Sequence, residues 1–172
     1  MNVLVTGIAG TGKTALCKEF RRRGYKAFSI EDIPGLFQMI DKRTGKPFHD
    51  YDNYDMEKVK NADWVCDKQK LEKLIKENES RESPVFYCGT ASNILDLLSL
   101  FGKFFLLVAS KETLRKRLST RTSNNFGRTK EVQDWVFSWK DWWENMIKEK
   151  GAMVVNADRP LQKIAEEILS RL

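Results

Sequence analysis

The sequence predicts an α/β protein built on a parallel sheet of five strands with helices on both faces, and three observations lead to it. Short β-rich runs alternate along the chain with segments of helical periodicity. Residues 103–109 are apolar almost throughout, as expected for a parallel strand buried on both faces. Residues 2–6 form a β-rich run that ends at a glycine-rich turn, and helical spacing resumes at residue 15. Right-handed crossovers between such strands give three layers.

The other elements follow in order from their periodicity and their boundary residues. Gly24 and Gly151 end two helices, and Pro160 lies near the start of the last one. Residues 33–55 are mixed in pattern and indicate a mobile segment on the substrate side. The predicted strands after the first are 26–30, 85–88, 103–109 and 152–156, and the predicted helices are 15–23, one or two within 56–79, 93–100, 111–120, 131–150 and 161–172.

Size and composition point to one soluble domain over residues 1–172. The 41% of hydrophobic residues can bury one core, and 31% are charged. Mean hydropathy is −0.50, and no apolar run approaches the roughly 20 residues that cross a bilayer. The start of the chain reads as a strand, without a secretory leader, so we expect a cytoplasmic protein with no membrane partner. Three widely spaced cysteines fit neither a disulfide framework nor a zinc site.

The formal charge of +6 has two interpretations. Clustered basic residues can bind a nucleic-acid backbone. Here, much of the excess lies in residues 21–23, on a predicted helix end, and in residues 111–130, where the phosphates of a nucleotide need cations. We favour the second interpretation and do not expect a nucleic-acid partner.

Four tryptophans recur at helical spacing between residues 135 and 143. This spacing is typical of a core stripe that packs a helix on a sheet. A base-stacking role is the alternative. The four are Trp135, Trp139, Trp142 and Trp143.

A phosphate-binding loop lies between the first strand and the first helix, with the spacing G-x-x-x-x-G-K-T. Its glycines let successive N–H groups face one anion, and the helix N-terminus adds its positive dipole end. Lys13 would reach the β- and γ-phosphates of ATP, and Thr14 would offer a hydroxyl to Mg²⁺. The predicted nucleotide contacts of the loop are Gly7, Ile8, Ala9, Gly10, Thr11, Gly12, Lys13, Thr14 and Ala15.

Three further segments make the chain resemble the nucleoside monophosphate kinase-like family, which includes adenylate, shikimate and gluconate kinases. They are residues 28–32 after the second strand, residues 117–128 and residues 156–160 after the last strand. The resemblance covers nearly the whole chain. It implies a three-layer P-loop NTPase fold with strand order 2-3-1-4-5, a lid over residues 121–129 and an acceptor-side segment over residues 33–66.

The resemblance also implies individual roles. Asp32 would hold a Mg²⁺-bound water, and it or Glu31 could orient the acceptor hydroxyl. Arg121 and Arg128 would clasp the transferring phosphate, as expected since guanidinium groups stabilise its developing charge. The predicted adenine contacts are Arg117, Asp158, Arg159 and Pro160.

Structural interpretations remain open for the predicted arginine contacts and for Asp32. Arg117 and Arg121 are four residues apart and could form a solvated helix face. Asp32 could be a helix N-cap.

The acceptor side departs from adenylate kinases. Where those enzymes carry an aspartate and then an arginine that grips AMP, this chain reads Cys-Gly-Thr-Ala-Ser-Asn over residues 88–93. Arg43 is the nearest candidate for the second missing arginine, and a dianion without an arginine partner would be poorly held. Gly89, Thr90 and Asn93 suit hydroxyl groups, although Ser92 beside them could equally form a turn or a cap.

Two functional hypotheses follow. The first is a phosphotransferase that moves the γ-phosphoryl group of ATP to a small acceptor, a nucleoside, nucleotide or other metabolite. The second is a nucleotide-binding switch or weak ATPase that acts through a protein or RNA partner. The chain lacks the Asp-x-x-Gly strand end and the Asn-Lys-x-Asp motif of GTPases, and it carries its own lid arginines. A regulator more often borrows an arginine from its partner, so we favour the kinase.

Overall fold

The computed structural model describes residues 1–122 and 124–172 and contains a five-stranded parallel sheet and a smaller antiparallel sheet. The parallel sheet has the order β2-β6-β1-β7-β8, which is the predicted order 2-3-1-4-5 when its strands are counted along the chain. The strands are β1 (Asn2–Thr6), β2 (Ala27–Ser29), β3 (Phe37–Asp41), β4 (Lys46–Pro47), β5 (Ala62–Cys66), β6 (Val85–Cys88), β7 (Lys103–Val108) and β8 (Met153–Asn156).

Helices flank the parallel sheet, as predicted. They are α1 (Lys13–Arg22), α2 (Met56–Lys60), α3 (Lys68–Glu77), α4 (Ile94–Leu97), α5 (Lys111–Thr120), α6 (Lys130–Glu149) and α7 (Leu161–Ser170), with short 3₁₀ turns at Ile30–Asp32 and Leu98–Leu100. In residues 1–122 and 124–172, no helix is both long and apolar enough to cross a membrane.

The core lies on both faces of the central strands. Phe86 of β6 stacks on Phe20 of α1, with ring centroids 3.8 Å apart. Tyr87, the next residue, points to the opposite face because side chains alternate along a strand. There it meets Phe101, which follows the second 3₁₀ turn. Strand β1 pairs with β6 on one side and β7 on the other, so its residues Val3, Leu4 and Val5 are fully buried.

The second sheet corrects one prediction. Within residues 33–55, whose sequence pattern is mixed, β3 and β4 pair antiparallel. The helical prediction over residues 56–79 is wrong at Ala62–Cys66, which pairs with β3 as strand β5. The physical reason is that one helix ends and another begins within this range. α2 ends at Lys60 with Asn61 as its C-cap residue, and Asp67 caps α3 by accepting a hydrogen bond from the amide of Lys70.

The residues after β6 tie the small sheet to the parallel sheet. The Ser92 hydroxyl accepts a hydrogen bond from the amide of Trp64, and the Ser92 amide donates to the carbonyl of Trp64. The Asn93 side chain accepts from the amide of Cys66 and donates to its carbonyl, both at 3.0 Å. These bonds hold β5 beside the carboxyl end of β6.

The tryptophan prediction is only partly right. Trp143 is buried, Trp135 and Trp139 are half-buried, and Trp142 is 66% exposed. Trp142 therefore lies on the solvent-exposed side of α6 and does not belong to the core stripe.

The arginines at the end of α1 are occupied by contacts within the protein. Glu19 accepts hydrogen bonds from Arg22 and Arg23, and Arg21 donates to the carbonyl of Ala27. These contacts therefore stabilise the end of α1 and attach it to β2 through the carbonyl of Ala27.

We predict that Asn93→Ala loosens the small sheet. The substitution removes both bonds to Cys66 and leaves two backbone groups without partners, at a cost of about 1–3 kcal/mol. Amide hydrogen exchange should speed up in β3 and β5. The control is Asn61→Ala, which removes one bond within the last turn of α2. Equal exchange of β5 in both variants would contradict the anchoring role of Asn93.

Candidate active site

The phosphate-binding loop curls between β1 and α1. The Thr11 hydroxyl and amide both donate to the carbonyl of Ile8, at 2.9 and 3.3 Å. Gly12 precedes α1 with φ of 98°, a left-handed conformation that a side chain would strain. The side chains of Thr14 and Ala15, in the first turn of α1, are exposed. The loop thus presents the helix N-terminus to an incoming anion.

Lys13 lies folded over this loop. Its Nζ atom donates to the carbonyl oxygens of Gly7 at 2.8 Å and Ile8 at 3.3 Å, and it is 3.7 Å from Oε1 of Glu31. Burial lowers the pKa of Lys13, the Glu31 carboxylate opposes that shift, and the nearby Arg121 adds to it. The ammonium group therefore shares one electrostatic environment with an acid and a second cation.

Glu31 is held by the segment that follows β6. Its Oε1 atom accepts a hydrogen bond of 2.9 Å from the amide of Thr90. Residue 89 must be a glycine for this approach, since a Cβ atom there would lie 2.4 Å from Cγ1 of Ile30. The carboxylate of Glu31 consequently points toward Lys13 at the carboxyl end of the sheet.

Asp32 takes a different direction. It is exposed, and within the described residues its side chain makes no hydrogen bond or ion pair. It is the last residue of the 3₁₀ turn, and residues 33–36 after it form a turn that leads into β3, so Asp32 caps no helix there and that interpretation is wrong.

The two predicted lid arginines follow α5. Arg121 donates from Nη2 to the carbonyl of Phe126, and its buried Nε atom has no partner among residues 1–122 and 124–172. Arg128 donates to the carbonyl of Arg121 at 3.0 Å. Burial lowers the pKa of Arg121, Glu31 raises it and Arg128 lowers it further. Arg121 is partly buried and does not form a solvated helix face. One residue of the predicted lid, Ser123, lies outside the described residues.

A cavity of about 210 Å³ opens on the other side of the loop. Arg117 borders it and donates to the carbonyl of Ala157 at 2.9 Å, with weaker contacts to the carbonyls of Gly10 and Thr11 at 3.4 Å. The cavity combines an apolar wall with two guanidinium groups. Its lining residues are Thr11, Gly12, Ala15, Leu16, Leu107, Arg117, Arg159, Leu161 and Ile164.

The segment after β8 closes the end of this cavity. The carboxylate of Asp158 accepts hydrogen bonds from the amide and hydroxyl of Ser110, where α5 begins. Arg159 pairs with Glu167 of α7 and also borders the cavity. Pro160 is the N-cap residue of α7. Of the three predicted adenine contacts here, only Arg159 reaches the cavity wall.

Two predicted acceptor contacts are engaged elsewhere. Arg43 pairs with Asp41 and Glu57, at 2.9 and 2.8 Å, on the hairpin of the small sheet. Asn93 is bonded to the backbone of Cys66. Gly89 and Thr90 do lie at the site, through their contacts with the 3₁₀ turn.

Two residues that make polar contacts with the lid were not predicted from the sequence. Asn53 of the acceptor-side segment donates to Asn125 of the lid at 2.6 Å. Gln133 of α6 reaches back to the lid and to α5. Neither residue belongs to a motif or a periodic pattern, so only its position in the fold identifies it.

These features define a P-loop kinase-like protein. The chain belongs to the family described as AAA domain, whose model matches residues 3–137. It is 28% identical over 122 residues to the "Putative adenylate kinase" of Methanocaldococcus jannaschii, a match that covers 70% of this chain and 59% of the relative. The chain thus aligns with little more than half of that relative's length.

Solved structures extend the likeness of fold. A deoxyadenosine kinase from M. mycoides with bound dATP superposes with a TM-score of 0.59 at 15% identity, over 99% of this chain and 98% of the other. A shikimate kinase from Bacteroides thetaiotaomicron gives 0.62 at 16% identity, over 100% and 99%. These neighbours share the fold but differ in the substrates that their names state.

We predict that Gly89→Ala disturbs the site by displacing Ile30 and Glu31. An added Cβ overlaps Ile30, so the variant should lose about 1–3 kcal/mol of stability through overpacking. Thermal unfolding measures this loss. Gly102→Ala is the matched control, because its Cβ would meet nothing closer than 3.4 Å. Equal melting temperatures for the two variants would refute the close approach.

Proposed function

We propose that this protein is an ATP-dependent phosphotransferase that moves the γ-phosphoryl group of ATP to a hydroxyl group of a small acceptor. One observation carries the proposal: a phosphate-binding loop, a buried lysine, a carboxylate and a partly buried arginine converge at one edge of the sheet. The likeness to small nucleotide and sugar kinases supports it.

The nucleotide would lie across the loop with its base in the cavity beside Arg117. A flat, partly apolar ring suits a cavity with an apolar wall, and guanidinium groups favour the faces of aromatic rings. The phosphates would replace the loop carbonyls as partners of Lys13. An anion is a better partner for an ammonium group than a neutral carbonyl oxygen.

Mg²⁺ fits this donor set. The exposed hydroxyl of Thr14 would hold it together with phosphate oxygens, and Asp32 would contact one of its waters. The described residues contain no cluster of three or more His, Cys, Asp or Glu side chains, and a cation that keeps most of its waters needs none. When bound, Mg²⁺ neutralises charge on the β- and γ-phosphates.

The acceptor would approach from the side of Glu31 and Thr90. Three cations of the acceptor-side segment are already paired, Lys42 with Asp63, Arg43 with Asp41, and Lys58 with Asp50. Arg43 is the one arginine of residues 33–66, and Asp41 and Glu57 already engage it, so a second phosphate dianion would find no spare arginine in this segment. This favours an uncharged hydroxyl acceptor, such as a sugar or a nucleoside, over a nucleoside monophosphate.

In the reaction, the acceptor oxygen forms a bond to the γ-phosphorus while the bond from that phosphorus to the β-phosphate bridging oxygen breaks. ADP leaves, and the acceptor hydroxyl gives its proton to Glu31. The charge on the transferring group is stabilised by Lys13, Arg121 and Arg128, because guanidinium and ammonium groups positioned in a dry site lower the barrier.

The first test is ADP release by the purified protein with Mg²⁺ and ATP against a panel of sugars, nucleosides and nucleoside monophosphates. We expect acceptor-dependent release with an uncharged hydroxyl compound, and a loss of about 100-fold or more in Lys13→Ala. ATP turnover that depends on a protein or RNA partner, and on no small acceptor, would contradict the kinase hypothesis and support the nucleotide-binding switch.

A second test separates the two carboxylates. Glu31→Gln should lower kcat by about 100-fold or more at every Mg²⁺ concentration, because it removes a group that accepts the proton. Asp32→Asn should instead raise the Mg²⁺ concentration needed for half-maximal rate. Full activity of Glu31→Gln would show that a group other than Glu31 accepts the proton.

A further inference from the structure

Gln133 is a buried polar residue that the phosphoryl-transfer steps above do not use. It lies in the first turn of α6 and is 4% exposed. Its Nε2 atom donates to the carbonyl of Gly127 at 2.8 Å and to the hydroxyl of Ser119 at 3.1 Å. Its Oε1 atom accepts from Arg115 at 3.2 Å. One side chain thus joins α6, α5 and the lid.

The chemistry of these partners requires an amide. Arg115 can only donate, and the carbonyl of Gly127 can only accept. The side chain between them must therefore offer an acceptor at one atom and a donor at the other. A glutamate of the same size keeps the bond to Arg115 but loses the donor toward Gly127, and a leucine loses both.

The bond to Gly127 falls between the two lid arginine contacts. The preceding carbonyl, of Phe126, accepts from Arg121, and the following residue, Arg128, donates to the carbonyl of Arg121. The loop folds back on itself through these two bonds. Gln133 fixes the peptide in the middle of that fold to a helix that is packed on the core, where Val132 and Val136 are fully buried.

We propose that Gln133 is a positioning residue that sets both lid arginines for the γ-phosphate. This rests on the proposed function only in assuming that the lid arginines meet that phosphate. Gln133 itself touches no nucleotide. It acts through the Gly127 carbonyl, which holds the loop in the conformation that places Arg121 near Lys13 and Glu31.

A merely structural role of Gln133 predicts a different result. Loss of packing would lower the affinity for all nucleotides alike, or lower the stability of the fold, without a change in nucleotide preference. A positioning role acts on the γ-phosphate alone, so it changes the preference for a triphosphate over a diphosphate.

The experiment compares the affinity for β,γ-imido-ATP with that for ADP, both with Mg²⁺, by isothermal titration calorimetry. We expect the wild-type protein to prefer the triphosphate analogue. Gln133→Glu should reduce this preference about tenfold, the scale of a misplaced charge-assisted contact, with ADP affinity within about twofold of wild type. Gln133→Leu, which puts no charge in the buried site, should act in the same direction.

The matched control is Asp134→Asn. Asp134 is the next residue of α6 and pairs with the same Arg115, at 2.5 Å, but it makes no hydrogen bond or ion pair with the described residues of the lid. It should keep the wild-type preference. An unchanged preference in a folded Gln133 variant overturns the proposal, and so does a wild-type protein without any preference for the triphosphate. The acceptor panel tests phosphoryl transfer separately, so a missing acceptor would not decide the role of Gln133.

Discussion

The site depends on the position of strand β1 in the centre of the parallel sheet. Its residues Val3, Leu4 and Val5 are fully buried between β6 and β7, and the phosphate-binding loop follows its carboxyl end. In a parallel sheet all strands end at the same edge, so the ends of β2 and β6 also arrive there. The Glu31 turn, the Gly89–Thr90 segment and the loop meet because of this single constraint.

Electrostatic tension at that edge is consistent with a site prepared for an anion. Burial lowers the pKa of both Lys13 and Arg121, and the nearby carboxylate of Glu31 opposes that shift at each of them. Among the residues that the structure describes, the buried Nε atom of Arg121 has no hydrogen-bond partner, which is costly in a protein interior. Phosphate groups would supply the missing negative charge and the missing hydrogen-bond acceptors together. On the proposed function, this local cost would become a source of affinity for the nucleotide.

The acceptor side is built on a different principle. The small antiparallel sheet has three strands and is held to the parallel sheet through side chains that imitate a neighbouring strand, those of Ser92 and Asn93. The polar groups of Ser92 and Asn93 are therefore engaged in attaching the small sheet to the parallel sheet. This explains why Asn93 looks like a substrate ligand in the sequence and is a structural bridge in the fold.

The sequence by itself determined the phosphate-binding loop, the parallel sheet and most helix boundaries, because these rest on local spacing and on periodicity. The strand order came from the resemblance to the nucleoside monophosphate kinase-like family, since no local pattern says which strands are neighbours. The helical prediction failed at Ala62–Cys66, where five residues pair with a strand that lies more than 20 positions earlier. Only the tertiary structure decided that Glu31 faces Lys13 while Asp32 faces solvent. The 3₁₀ turn that contains both residues is fixed by packing against Gly89. The same holds for Gln133, whose three partners come from two other segments. Side-chain direction and long-range pairing depend on what the rest of the chain places nearby, and no local pattern carries that information.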